Sequence, residues 1–188
     1  MDVRQRSGSA FLYDANTSDI VGVRDPDGSE FYWQRAPRLG TFFDTSTQTD
    51  GSGAEAMTFN TSALSRGVTL ADSSKIYVDR AGLYEFQLST HIHNDDTQAH
   101  TFELWGRLNG EDIANSRFIY SVPSSHGGVS GALIPSQNFW LNLNAGDYVQ
   151  IMWTTDSADV TIAYHTAEAS KPVSPSLMLT VKEVAVLS

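Results

Sequence analysis

The chain has 188 residues, 40% of them hydrophobic and 11% aromatic, and no cysteine. That is enough apolar material for one packed core, and it excludes a disulfide framework, a thiolate metal site and a thiol nucleophile. Twelve Lys and Arg against 22 Asp and Glu give a formal charge of −10, which argues against binding DNA or RNA, where cations must neutralise phosphate.

Residues 1–38 differ from the rest of the chain. A polar lead, residues 1–9, contains no apolar stretch of the kind a signal peptide needs. No run anywhere approaches the ~20 apolar residues of a membrane helix. The expected setting is therefore an intracellular compartment or a particle assembled inside a cell, with no membrane partner. Next comes Ile20-Val21-Gly22-Val23, then Arg24-Asp25-Pro26-Asp27-Gly28-Ser29, then Glu30-Phe31-Tyr32-Trp33. In the Asp-Pro-Asp-Gly segment proline presets φ, aspartate bonds back to the local backbone and glycine accepts positive φ. With β-formers on both sides it reads as a small hairpin. A lone hairpin is marginal in water, so it must dock on its own domain or on another chain. Ala36-Pro37-Arg38 is the joint to a second domain, residues 39–188.

From residue 39 the pattern is strand after strand. Short candidates are 39–43, 57–59, 68–70 and 75–78. The clearest is 83–93, where Tyr84, Phe86, Leu88, Thr90 and Ile92 fall on one face and Glu85, Gln87, Ser89, His91 and His93 on the other. Residues 101–108 alternate again, and 113–122, 138–143, 148–154, 160–165 and 177–186 follow. Ala81-Gly82, Asn109-Gly110, Asn144-Ala145-Gly146-Asp147 and Asp156-Ser157 supply the turns. Residues 45–54 and 123–135 are polar or glycine-rich and read as exposed loops. About ten strands at short, regular spacing predict a sandwich or barrel, with no internal repeat.

Three constellations invite a chemical reading. His91 and His93 share a strand face and precede Asp95, Asp96 and His100, so they are metal candidates; the competing reading is an exposed or interface polar face. Asp156-Ser157-Ala158-Asp159 is acidic but lacks the alternating ligands of a calcium loop and reads as a solvated turn. Ser124-Ser125-His126-Gly127-Gly128 has no strand-to-helix context for a nucleophile elbow. No catalytic residue and no cofactor are predicted. Tyr32, Trp33 and Tyr120 have the surface to stack on sugars or to pack on a partner.

Several of these segments resemble a known family. Asp79-Arg80-Ala81-Gly82-Leu83-Tyr84-Glu85-Phe86 resembles the G-x-Y-x-F strand start of the tumour necrosis factor-like jelly roll, shared with complement-type globular heads. Leu108-Asn109-Gly110 is similar to that superfamily's L-x-x-N-G hairpin, and Leu141-Asn142-Leu143-Asn144-Ala145-Gly146-Asp147-Tyr148-Val149 to its L-x-L-x-x-G-D-x-V turn. The three stand in the family's order. The resemblance implies an all-β, ten-stranded jelly-roll sandwich and a homotrimer. The aromatic pattern agrees with assembly: Trp105 opposes Phe102 and Leu104, Trp140 opposes Phe139 and Leu141, and Trp153 sits among Val149 and Ile151. A sandwich buries one face of each sheet, so second-face aromatics call for a partner. Tyr84, Phe86, Trp105, Trp140, Tyr148 and Trp153 are accordingly expected in the core or a trimer interface.

Residues 20–31 look like stretches in structural proteins of tailed bacteriophages. The resemblances together imply a non-enzymatic virion protein on the exterior of a particle assembled in host cytoplasm. It would be a trimeric capsid decoration or head-fibre protein, anchored to the major capsid protein or another virion protein through Ile20, Val21, Val23, Phe31, Tyr32 and Trp33. The alternative is a tail-fibre or spike tip that recognises a host glycan or protein.

Overall fold

A computed structural model describes residues 10–13, 20–24, 26–32, 37–50 and 53–186. The chain divides into two compact units, Met1–Pro37 and Arg38–Ser188. In the first, β1 (Ala10–Tyr13), β2 (Ile20–Arg24) and β3 (Glu30–Tyr32) form an antiparallel sheet in the order β1-β2-β3. The β2–β3 connection is the turn read from sequence: Gly28 has φ of 88°, and the Asp27 carboxylate accepts the Ser29 N–H at 2.9 Å. β1 is an addition to the expected hairpin. Its residues AFLY carry no alternation, so pairing with β2 rather than hydropathy defines it.

The second unit contains, in chain order, β4 (Leu39–Asp44), β5 (Gln48–Thr49), β6 (Glu55–Ala56), β7 (Thr61–Arg66), β8 (Val68–Ala71), β9 (Lys75–Val78), β10 (Gly82–Thr90), β11 (Ile92–Asn94), β12 (His100–Leu108) and β13 (Glu111–Asp112). It continues through β14 (Phe118–Val122), β15 (Gly131–Leu133), β16 (Ser136–Leu143), β17 (Tyr148–Thr155), β18 (Val160–Ile162) and β19 (Leu177–Val186). One sheet has the order β16-β10-β19-β4-β7. The facing sheet runs β13-β12-β17-β9-β8, with β14 also on β12 and β6 on β17. A third group, β15-β11-β18-β5, lies beyond the His91 break between β10 and β11. All pairings are antiparallel, and the described residues include no helix.

The core is where the inner faces of the two large sheets meet. Phe42, Tyr84, Phe86, Leu179 and Val181 come from one; Phe102, Leu104, Val149, Ile151 and Trp153 come from the other. Phe102 stacks on Trp153 at 5.5 Å between centroids, and Phe86 on Phe139 at 5.2 Å. Met57 and Phe59 were expected in a strand. They instead plug the core from the connection between β6 and β7, Phe59 meeting Phe42 edge-on.

The turn motifs hold each other at one end of the sandwich. Asn109 (φ 50°) and Gly110 (φ 91°) form the hairpin tip between β12 and β13. The Asn109 amide donates to Asp147 Oδ1 at 2.8 Å, and its Oδ1 accepts the Tyr148 N–H at 3.0 Å. The Gly146 N–H donates to Val78 O at 2.8 Å. Immediately after, the Arg80 guanidinium meets the Glu183 carboxylate of β19. Both residues are 5% exposed, with Nε–Oε1 at 2.8 Å and a second contact between Nη2 and Oε2. Glu183 Oε2 also accepts the Arg38 N–H at 3.0 Å, and the Tyr84 hydroxyl donates to Arg80 O at 2.9 Å. Gly82 is required beside this pair, since a Cβ there would lie 2.9 Å from Ala185 O.

Candidate functional site

β14 and β16 are both edge strands, one from each sheet, and they end up on the same open side of the sandwich. Alternation along β16 turns Gln137, Phe139, Leu141 and Leu143 inward and Ser136, Asn138, Trp140 and Asn142 outward. Because among the described residues β16 pairs with β10 alone, the space between Phe139, Leu141 and the β12–β14 side stays partly unfilled. The result is a cavity of about 200 Å³ walled by Leu104, Ile113, Phe118, Phe139, Leu141 and Ile151, with Trp140 at its rim. The Gln137 amide donates to the Tyr120 hydroxyl and ties the two edges together. Trp140 is 59% exposed and Ile119, on β14, is 61% exposed. Large apolar side chains beside unpaired strand edges form the chemistry of an association surface.

The other expected interface or core aromatics separate into distinct places. Tyr84, Phe86 and Trp153 are core residues. Burial, with the Glu183 charge second, pushes the Tyr84 phenol above its ordinary range. Tyr148 is half-buried at the motif end and lies 5.1 Å from Tyr77. Trp105 lies on the outer face of β12, where its indole N–H donates to Asp112 at 2.9 Å. Of the expected attachment residues, Val23 on β2 is half-buried; the side chains of Ile20, Val21, Phe31 and Tyr32, and all of Trp33, lie outside the described residues.

His91 and His93 gather a third imidazole that sequence reading did not connect with them, His165. Its ring centroid is 4.7 Å from that of His93 and 5.7 Å from that of His91. It arrives because the His165–Ser174 bridge folds the chain after β18 back toward His91, whose Nδ1 lies 3.3 Å from Ser174 Oγ. Burial, then the nearby His165, lowers the pKa of both His91 and His93. Among the described residues no group of three or more His, Asp or Glu is disposed to hold a metal ion.

His100, which the sequence placed with that pair, is engaged elsewhere. Its Nε2 lies 2.8 Å from Asp96 Oδ2 and its Nδ1 3.1 Å from Asp156 Oδ1. Asp156 also accepts the Thr101 N–H at 2.9 Å. These carboxylates anchor turns. The hydrogen bond to Asp96 raises the pKa of His100, with Asp156 adding to it. A histidine whose folded pKa lies above its unfolded value contributes fully below about pH 6.5 and loses that contribution as pH rises through the folded pKa. His100→Gln is therefore expected to lower the melting temperature more at about pH 5.5 than at about pH 9. Circular-dichroism melts at the two pH values check this; an equal deficit at both would refute the clamp.

No family model matches the chain, and no curated protein matches it in sequence. Solved structures do match in shape. The structure of Eiger TNF from S. frugiperda is 13% identical, with a TM-score of 0.50 over 82% of this chain and 96% of that one. Murine APRIL at pH 8.5 is 14% identical, with a TM-score of 0.47 over 79% of this chain and all of that one. The likeness to Eiger establishes the fold: an all-β, TNF-like jelly roll, as the three turn motifs led one to expect.

Proposed function

We propose that this chain is a non-enzymatic structural protein of a phage particle. It is a homotrimer whose jelly rolls face solvent on the exterior and whose residues 1–38 attach it to the major capsid protein or another virion protein. The observation that carries the self-association is the open β14–β16 edge, where Trp140 and Ile119 stand exposed beside an apolar cavity. Its occupant is a second copy of the chain, and closure around a threefold axis lets every copy set this edge against a complementary surface of the next. The phage assignment is supported by the likeness of residues 20–31 to tailed-phage structural proteins. Seven basic against sixteen acidic residues in 39–188 suit a solvent-facing knob that repels its neighbours. Among the described residues of the first unit β1 and β3 each have one free edge within their sheet, a geometry that accepts a partner strand. Three linked arms gain by effective concentration what each lacks alone.

Light scattering tests the assembly. The purified chain is expected at three times 20.6 kDa, and Trp140→Glu combined with Ile119→Glu at 20.6 kDa with unchanged circular dichroism. A monomeric wild type, or a double variant that remains trimeric, would overturn the edge as the interface. Deleting residues 1–37, which keeps Arg38 on Glu183, is expected to leave a folded trimer that no longer binds particles; a truncated chain that still binds them would overturn the attachment.

A further inference from the structure

The outer face of β12 carries a second, more polar concavity, which shares Trp105, Ile113 and Asn115 with the apolar cavity of the open edge. β12 alternates so that Phe102, Leu104 and Gly106 face the core while Glu103, Trp105 and Arg107 face outward. The Asn109-Gly110 turn sends the chain back along the edge of β12, so that its side chains wall this outer face. β13 pairs Arg107 with Asp112, the Ile113 N–H donates to Gly106 O at 2.9 Å, and the Ser116 hydroxyl accepts the Gly106 N–H at 3.0 Å. On the core side the Ile113 side chain packs close to Gly106, where a Cβ would lie 3.1 Å from Ile113 Cδ1. The strand expected over 113–122 is broken by these contacts: residues 113–117 form a turn, with Asn115 at φ 62°, and β14 starts at Phe118. What results is a shallow bowl of about 320 Å³ lined by Glu103, Trp105, Asp112, Ile113, Asn115 and Arg117.

The bowl is built from groups fixed before any ligand arrives. Arg117 donates from Nε and Nη2 to the two Glu103 oxygens, both at 2.7 Å. Asp112 Oδ1 accepts from Arg107 Nε at 2.7 Å and from the Trp105 indole at 2.9 Å. Arg107, then the indole, holds the Asp112 carboxyl below the usual carboxylate range. Hydrogen-bonding capacity remains on donors and acceptors alike. A carboxylate offers about four acceptor positions and a guanidinium five donors, so Glu103, Asp112 and Arg117 each keep unused valence. The exposed Asn115 amide makes no hydrogen bond among the described residues.

Two guanidiniums neutralise two carboxylates, so the bowl is locally uncharged and gives no advantage to an ionised ligand. An apolar ligand would cover the free donors and acceptors without satisfying them, which is costly. The arrangement favours a ligand with an apolar face for the indole and a ring of hydroxyls that both donate and accept. We infer that this bowl is a binding site for a neutral monosaccharide unit, with Trp105 as the stacking surface and Glu103, Asp112, Asn115 and Arg117 as the hydroxyl partners. Its size is at the small end of ligand sites, about 300 Å³ upward, and a single sugar against a half-buried indole is expected to bind with Kd of order 1 mM.

The probes are the methyl glycosides of glucose, galactose, mannose and N-acetylglucosamine, titrated singly into the full chain. The Trp105 indole N–H is followed by nitrogen-15 NMR and assigned by its loss in Trp105→Ala. At least one sugar is expected to shift that resonance saturably. Asn115→Gly, which removes the amide and accepts the φ of 62°, is expected to weaken binding several-fold, and Trp105→Ala, followed on the backbone amide resonances around the bowl, by about tenfold or more. Val173→Ser, an exposed change outside both the bowl and the open edge, is expected to leave the titration unchanged. If none of the four sugars moves the Trp105 indole, or if Asn115→Gly and Trp105→Ala bind as the parent does, the assignment is wrong. The light-scattering mass is a separate readout, so failure here leaves the assembly proposal standing and the reverse also holds.

Discussion

Glu183→Ala is expected to cost about 3–5 kcal/mol of folding stability. The loss would appear as a large fall in the urea midpoint. Removing the carboxylate leaves the Arg80 guanidinium, 5% exposed, without its main counter-charge. It also strips the acceptor from the Arg38 N–H at the start of β4. The exposed Arg38–Asp79 pair is a built-in comparison: its two charges lie 2.7 Å apart, with Asp79 half in solvent. Asp79→Ala is expected to cost only about 0–1 kcal/mol. The double change Arg80→Met with Glu183→Leu removes both charges together and is expected to cost less than Glu183→Ala alone, because no unpaired charge remains buried. A Glu183→Ala loss no larger than that of Asp79→Ala would show that the pair does not hold β19 to the Arg80 turn.

Trp153→Ala is expected to cost a similar amount, about 3–5 kcal/mol, from lost burial and the void left behind. Trp153 is 1% exposed and stacks on Phe102 across β17 and β12. The other tryptophans calibrate it. Trp140 stands in solvent, and Trp140→Ala is expected to change the stability of a monomer by no more than about 0.5 kcal/mol. Denaturant unfolding of the two variants separates the core tryptophan from the surface one. A Trp153→Ala loss below about 1 kcal/mol would mean that the core closes over the gap.

Legibility in the sequence was greatest where hydropathy and turn chemistry were decided locally. β10 was plain because one face meets the core and the other does not, so Tyr84, Phe86 and Leu88 alternate with polar residues. β7 left no trace: TSALSR is exposed at nearly every position and exists because β4 pairs with it. The break at His91 was invisible for another reason. The alternation continues through it, but its N–H donates to Ser176 O and its carbonyl accepts from Ala163, so the strand changes partners without changing pattern. Trp153 and Trp140 part by alternation: Trp153 shares its face with Val149 and Ile151 and goes to the core, while Trp140 lies opposite Phe139 and Leu141 and goes to solvent.

The sequence by itself determined the all-β class, the β2–β3 turn and the three motif turns, because each rests on contacts within a few residues or on φ preferences that Asn and Gly alone satisfy cheaply. Tertiary structure decided everything that depends on residues far apart in the chain. It joined Arg80 to Glu183 and Asn109 to Asp147, brought His165 to His93 while sending His100 to two aspartates, left β14 and β16 as neighbouring open edges, and folded residues 109–117 beside Trp105 to make a bowl. These outcomes follow from sheet order and register. Non-local pairing fixes both, and no local pattern encodes which strands become neighbours.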